Sequence, residues 1–162
     1  MSTLRKRILV VDDDPKITRG IRSVLELTGE YDVREVNHAS HAMAAAKAFQ
    51  PDLILLDVKM PEIEGGELAS EFRSVPEFRE VPIVFLTALV TQKEVNEHGG
   101  YIGGERFLSK AEDPVELMDC LREQLEKHSS HSLPGRSAQP TDHSRNPVGA
   151  RLPEDNSPHL AY

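Results

Sequence analysis

In the stretch Pro51 to Pro61, PDLILLDVKMP, four consecutive apolar residues, Leu53 to Leu56, run directly into Asp57. A short apolar run behind a proline reads as a strand buried on both faces. Such a strand ends where its side chains meet solvent. Asp57 is therefore expected at the carboxyl edge of a parallel sheet, the edge at which open α/β folds carry their sites.

The rest of the chain supplies partners for that strand. Arg7 to Asp12, RILVVD, is a second buried strand that ends in three acids, Asp12, Asp13 and Asp14. Asp14 precedes Pro15, a favourable helix start, and is assigned to capping. The helix that follows has Ile17, Ile21, Val24 and Leu25 on one face and is stopped by Gly29. Tyr31 to Val36 alternates as a strand does, and Ala42, Ala45, Ala46 and Phe49 form a small-residue helical stripe. After Asp57 come a short helix with Leu68 and Phe72, ended near Pro76, and a strand at Val81 to Thr87. The helical signal over Thr91 to His98 is weak, and Gly99 to Gly104 loosens the connection to a last strand, Arg106 to Ser109, ending at Lys110. Asp113, Pro114 and Glu116 cap a final helix with Leu117, Met118, Leu121 and Leu125 on its apolar face. This βα alternation predicts an α/β fold: a doubly wound, five-stranded parallel sheet with right-handed crossovers and helices on both faces.

Composition limits what surrounds the sheet. A chain of 162 residues, 38% hydrophobic and without tryptophan, supports one core of ordinary size. We expect one domain over residues 5–127. From about His128 to Tyr162 the residues are mostly Ser, Pro, His, Asn and Arg, which bury too little apolar area to offset chain entropy, so a disordered tail is expected there. A net charge of -8 argues against direct DNA binding, which needs a clustered basic face. Cys120 is the only cysteine, so no internal disulfide can form, and a reducing cytoplasm fits. The apolar run Ile8 to Val11 after Arg5, Lys6 and Arg7 is far too short for a signal peptide or a membrane span, so no membrane contact is expected.

Chemistry gathers at the strand ends: Asp12 and Asp13 follow the first strand, Asp57 the third, Thr87 the fourth and Lys110 the fifth. Singly, each has a plainer reading as a strand terminator, a strand hydroxyl or a solvated lysine. Jointly, the motifs ILVVDD, LLDVKMP with Gly65 beyond, FLTA and FLSK stand in an order that resembles the receiver domain of two-component response regulators, over Arg5 to about Lys127. The resemblance implies the strand order 2-1-3-4-5 of the flavodoxin-like group.

It further implies a single-domain signalling protein, not an enzyme acting on other substrates, that promotes only its own phosphorylation and dephosphorylation. Asp57 would be the phosphoacceptor, fed by a sensor histidine kinase or a phosphotransfer protein. Three converging carboxylates repel one another unless a cation neutralises them, and Mg²⁺ prefers such oxygen ligands. By the resemblance, Asp13 and Asp57 bind Mg²⁺ directly, Asp12 acts mainly through water, and the backbone carbonyl of Lys59 adds a ligand. Thr87, Ala88 and Lys110 would receive the phosphoryl group. Thr87 and Phe107 would be the switch, acting on a downstream protein through the face made by the fourth helix, fifth strand and fifth helix. Phe107 has no hydroxyl to hold it outward, which favours burial. Lys59 and Leu89 replace residues that place hydrolytic water in the family, so slow dephosphorylation is expected. Ala111 stands where the family usually has proline, which leaves a cis or a trans bond after Lys110 open.

Two other functions share some of these features. A haloacid-dehalogenase-type phosphatase also uses an aspartyl nucleophile, but its strand carries DxD, and Lys59 occupies the second acid's place. A degenerate receiver acting as a phosphorylation-independent interaction module would lack the full acidic set. His128, His131, His143 and His159 are spaced too irregularly to suggest a metal site.

Overall fold

The computed structural model describes residues 4–88, 101–102, 105–110 and 113–131. In chain order these form β1 (Lys6–Val11), α1 (Pro15–Leu27), β2 (Tyr31–Val36), a 3-10 turn at Ala39–His41, α2 (Ala42–Phe49), β3 (Leu53–Asp57), α3 (Gly65–Ser74) and β4 (Ile83–Thr87). β5 (Tyr101–Ile102), β6 (Glu105–Ser109) and α4 (Pro114–His131) follow. The N-terminal caps of α1 and α4 are those the residue types call for. The Asp14 carboxylate accepts the Lys16 N–H at 2.9 Å ahead of α1, and Asp113 accepts the Val115 N–H at 2.8 Å ahead of α4. Gly29 leaves α1 at φ +73°, a conformation that glycine adopts without steric cost.

The sheet order is β2-β1-β3-β4-β6-β5. Its first five strands run parallel in the expected 2-1-3-4-5 arrangement. The two-residue β5 is an addition, pairing antiparallel to the outer edge of β6 through Tyr101↔Arg106 and Ile102↔Glu105. The glycines at 99–104 suggest only a loosened connection in the sequence. Yet two glycines between two strand residues are also the spacing of a tight hairpin. Boundaries differ as well: β1 spans Lys6–Val11 rather than Arg7 to Asp12, β4 begins at Ile83 rather than Val81, β6 begins at Glu105 rather than Arg106, and α4 continues to His131, past the boundary expected at Lys127. The helix expected over 91–98, Leu89, Ala111 with its peptide bond, and residues 132–162 lie outside the described residues.

Parallel register makes neighbouring side chains share a face, and alternation then sorts the residues into two cores. Ile8 and Val10 of β1, Leu53 and Leu55 of β3, Val84 and Leu86 of β4 and Leu108 of β6 pack against Leu25 of α1 and Leu117 and Leu121 of α4. Leu9, Val11, Ile54, Leu56, Ile83 and Phe85 pack against Ala42, Ala46, Leu68 and Phe72 of α2 and α3. Each buried aliphatic residue contributes about 1.5–3 kcal/mol, so the two-sided burial of β3 makes it the anchor of the sheet. Two residues past Val10 lies Asp12, and two past Leu55 lies Asp57, both continuing the rows that face α1 and α4. Thr87, two past Phe85, continues the opposite row.

Candidate functional site

Register carries the acids together. Val11 pairs with Leu56 and Asp57 with Leu86, so Asp12 and Asp57 are adjacent at the carboxyl edge, while Thr87 pairs with Ser109 just before Lys110. The backbone N–H of Lys110 donates to the Thr87 carbonyl at 2.9 Å, which fixes the lysine beside β4. Its ammonium reaches back between two carboxylates, 2.7 Å from Asp12 Oδ2 and 3.1 Å from Asp57 Oδ1. Asp12 is fully buried and Asp57 only 4% exposed, whereas Asp13 stands open to solvent. Carboxylate oxygens of Asp12, Asp13 and Asp57 all come within 4.8 Å of one another.

This packing shifts the acid–base behaviour of the site. Burial pushes the Asp57 carboxyl up to about 6; the charge of Asp12 and the side chain of Asp13 push the same way, and Lys110 opposes them. Burial by itself would lower the Lys110 ammonium, but the two carboxylates against it outweigh burial and hold it above its ordinary value. Asp12 Oδ1 accepts the Asp14 N–H at 2.9 Å. Asp12 Oδ2, although buried, takes no directed hydrogen bond, its contact with Lys110 being an ion pair. A pocket on which three carboxylates converge suits a further cation, and 4.8 Å is close to the roughly 4.2 Å across a small divalent ion's oxygen shell.

The loop after Asp57 folds back on the acceptor strand. Lys59 pairs with Glu64 in an isolated antiparallel bridge, and Gly65 N–H donates to the Val58 carbonyl at 2.8 Å. A Cβ on Gly65 would lie 2.2 Å from the Asp57 carbonyl oxygen, so only glycine permits this approach. The Lys59 side chain is exposed, and its backbone N–H is a long 3.4 Å from Asp57 Oδ1. Thr87 is buried at the tip of β4 and Ala88 exposed just beyond it. Phe107 is half-buried and stacks on Phe85, its partner in register, with ring centroids 5.0 Å apart. Thus Asp12, Asp13, Asp57 and Lys110 are brought into one cluster, Thr87, Ala88 and Lys59 flank it, and Phe107 lies one residue row below Ser109. Sequence reasoning passed over Asn37 and Glu62, which touch this edge through hydrogen bonds; a lone Asn after a strand carries no periodic or motif signal.

Comparison with known proteins points the same way. The family described as response regulator receiver domain matches residues 8–122. Response regulator Rre1 of Synechocystis is 31% identical over 129 residues, 79% of this chain and 55% of its own length. The DNA-binding response regulator MtrA of Mycolicibacterium smegmatis is 34% identical over 128 residues, 79% of this chain and 54% of its own. The chain therefore spans about half the length of these relatives. A CheY-like receiver domain protein from Methanospirillum hungatei aligns with a TM-score of 0.66 at 26% identity, covering 79% of this chain and 99% of the other. The receiver domain of a Syntrophus aciditrophicus histidine kinase gives 0.62 at 30% identity, covering 75% and 91%. Strand order, clustered acids and matched span converge on one conclusion: this chain belongs to the response regulator receiver domain family.

Proposed function

We propose that the chain accepts a phosphoryl group on Asp57 from a phosphohistidine of a sensor kinase or phosphotransfer protein, and signals by protein contact. The observation that carries this reading is the ammonium of Lys110 lodged between buried Asp12 and Asp57, with Asp13 open beside them. An Asp57 oxygen forms the new bond to phosphorus as the bond from phosphorus to the histidine nitrogen breaks, and the imidazole leaves with that electron pair. Phosphoryl transfer asks the protein mainly for positioning and charge neutralisation. Lys110 meets a phosphoryl oxygen once it turns from the carboxylates, Thr87 supplies a hydroxyl, and Ala88 keeps the approach clear.

Mg²⁺ fits the donor set, with Asp13 and Asp57 as direct ligands, Asp12 mainly through water, and the Lys59 carbonyl as a fourth group. When bound, it supplies positive charge to the phosphoryl oxygens. Lys59 has no carboxylate or amide with which to orient water, which supports a long-lived acyl phosphate. The partner is a protein rather than DNA, in keeping with a net charge of -8. A cytoplasmic setting accords with a kinase donor; among the described residues no helix is long and apolar enough to cross a membrane.

Incubation with acetyl phosphate and Mg²⁺, followed by intact mass, tests this directly. Wild type should gain one phosphoryl group and Asp57→Asn none. Equal labelling of both proteins, or sustained phosphate release from unrelated esters, would rule the acceptor role out.

A further inference from the structure

Two residues with no part in that scheme tie the two acidic loops to one short segment. Asn37, directly after β2, donates its side-chain amide to the Asp12 carbonyl at 2.9 Å and to Thr18 Oγ1 at 3.0 Å. Thr18 is fully buried, and its hydroxyl donates to the Pro15 carbonyl at 3.2 Å. One amide therefore pins both ends of the turn that presents Asp12 and Asp13. Three residues on, the Ser40 N–H donates to Glu62 Oε2 at 3.1 Å, and His38 Nδ1 lies 3.3 Å from Glu62 Oε1. Glu62 belongs to the loop that follows Asp57. Its carboxyl is held below the ordinary range, chiefly by that Ser40 N–H, so the contact favours the charged acid. Between the two ties, Ala39 is 6% exposed and shares a core with Val36 and Met60. The segment cannot slide without opening that core.

We propose that Asn37 to Ser40 is a brace that sets the separation of the Asp12–Asp13 loop from the Asp57 loop, with Asn37 and Glu62 as positioning residues. Its geometry stands alone, while its consequence for metal binding rests on the receiver reading. Polar groups behind a metal ligand orient it, and their loss weakens binding without touching the ion.

Backbone amide NMR of the whole chain, first without metal and then titrated with Mg²⁺, tests the brace. Without metal, Asn37→Ala should shift amides of Lys59 to Gly65, and Glu62→Ala those of Asp12 to Lys16, each across the segment. The Mg²⁺ midpoint should rise about tenfold for Asn37→Ala and in the same direction for Glu62→Ala, whereas Glu62→Gln, which keeps an oxygen for Ser40, stays within about twofold of wild type. Should Asn37→Ala fail to fold, the surface Glu62 variants carry the test. Shifts confined to each variant's own loop, or unchanged midpoints in both alanine variants, would overturn the brace even if Tm falls. If wild type binds Mg²⁺ yet takes no phosphoryl group, the receiver reading falls and the midpoints still decide the brace. If wild type binds no Mg²⁺, the cross-segment shifts decide it.

Discussion

At the scale of single residues, Asp57 works against the fold that buries it. Its carboxyl is raised from 3.8 to about 6 in the folded protein, first by burial and then by the acids beside it. The folded state thus binds more protons than the unfolded state between about pH 4 and 6, and stability falls as pH rises through that window. The penalty is complete above about pH 6 and absent below about pH 4, and a displacement of this size corresponds to no more than about 3 kcal/mol. Asp57→Asn should therefore stabilise the metal-free protein by about 1–3 kcal/mol at pH 7, with the gain vanishing by about pH 4. Urea unfolding with chelator at both pH values reads this out; a gain unchanged at pH 4 would place its origin elsewhere. Gly65 illustrates the opposite pressure, a residue chosen for what it lacks. A methyl group 2.2 Å from the Asp57 carbonyl forces the two backbones apart. Gly65→Ala should cost about 1–3 kcal/mol and displace the Asp57 amide resonance, as overpacking against rigid backbone does.

At the scale of elements, the central strands were readable because burial on both faces leaves continuous apolar runs, as in Leu53 to Leu56, while their order came from the family resemblance. The acids Asp12, Asp13 and Asp57 and the base Lys110 were readable because each follows such a run, and the βα alternation brings strand ends to one edge. What escaped was set by tertiary contact: the Asn37 amide turned onto Asp12, the Glu62 tie to Ser40, and the β5 pairing on β6. None leaves a periodic trace. A groove between α1 and α4 also belongs to this scale. It is lined by Ile17, Gly20, Ile21, Pro114 and Leu117 and reaches Lys110. On the proposed reading, a protein donor would lie along that groove to bring its histidine to Asp57, whereas a small phosphodonor needs only solvent access. Gly20 separates the two cases, since a Cβ there meets no atom within 4 Å of the chain itself. Gly20→Gln should stabilise α1 by about 0.5–1 kcal/mol. It should leave uptake from acetyl phosphate unchanged and slow transfer from a phosphorylated protein donor by about tenfold, as filling a docking groove does. Equal slowing with both donors would refute the groove's role.

At the scale of the whole molecule, the candidate site concentrates like charge that the rest of the fold must hold together. The chain carries 27 acidic against 19 basic residues. Among the described residues, three of the acids meet at one sheet edge with a single ammonium between two of them. One positive charge cannot neutralise three negative ones, so repulsion persists in the metal-free state. A divalent ion that binds only when these loops are assembled must stabilise the native state by mass action, by about 2.7 kcal/mol at a concentration one hundred times its Kd. Mg²⁺ should therefore raise Tm well beyond NaCl of equal ionic strength, because screening acts weakly on the buried Asp12 and Asp57. Asp13 provides the discriminating substitution. It is exposed, so Asp13→Asn should raise the metal-free Tm only slightly, by removing one repelling charge, while abolishing most of the Mg²⁺-dependent increase. Calorimetry with and without Mg²⁺ on both proteins decides between a bound ion and a general salt effect. An increase of equal size in Asp13→Asn would assign the stabilisation to screening and leave the acidic edge without its proposed metal.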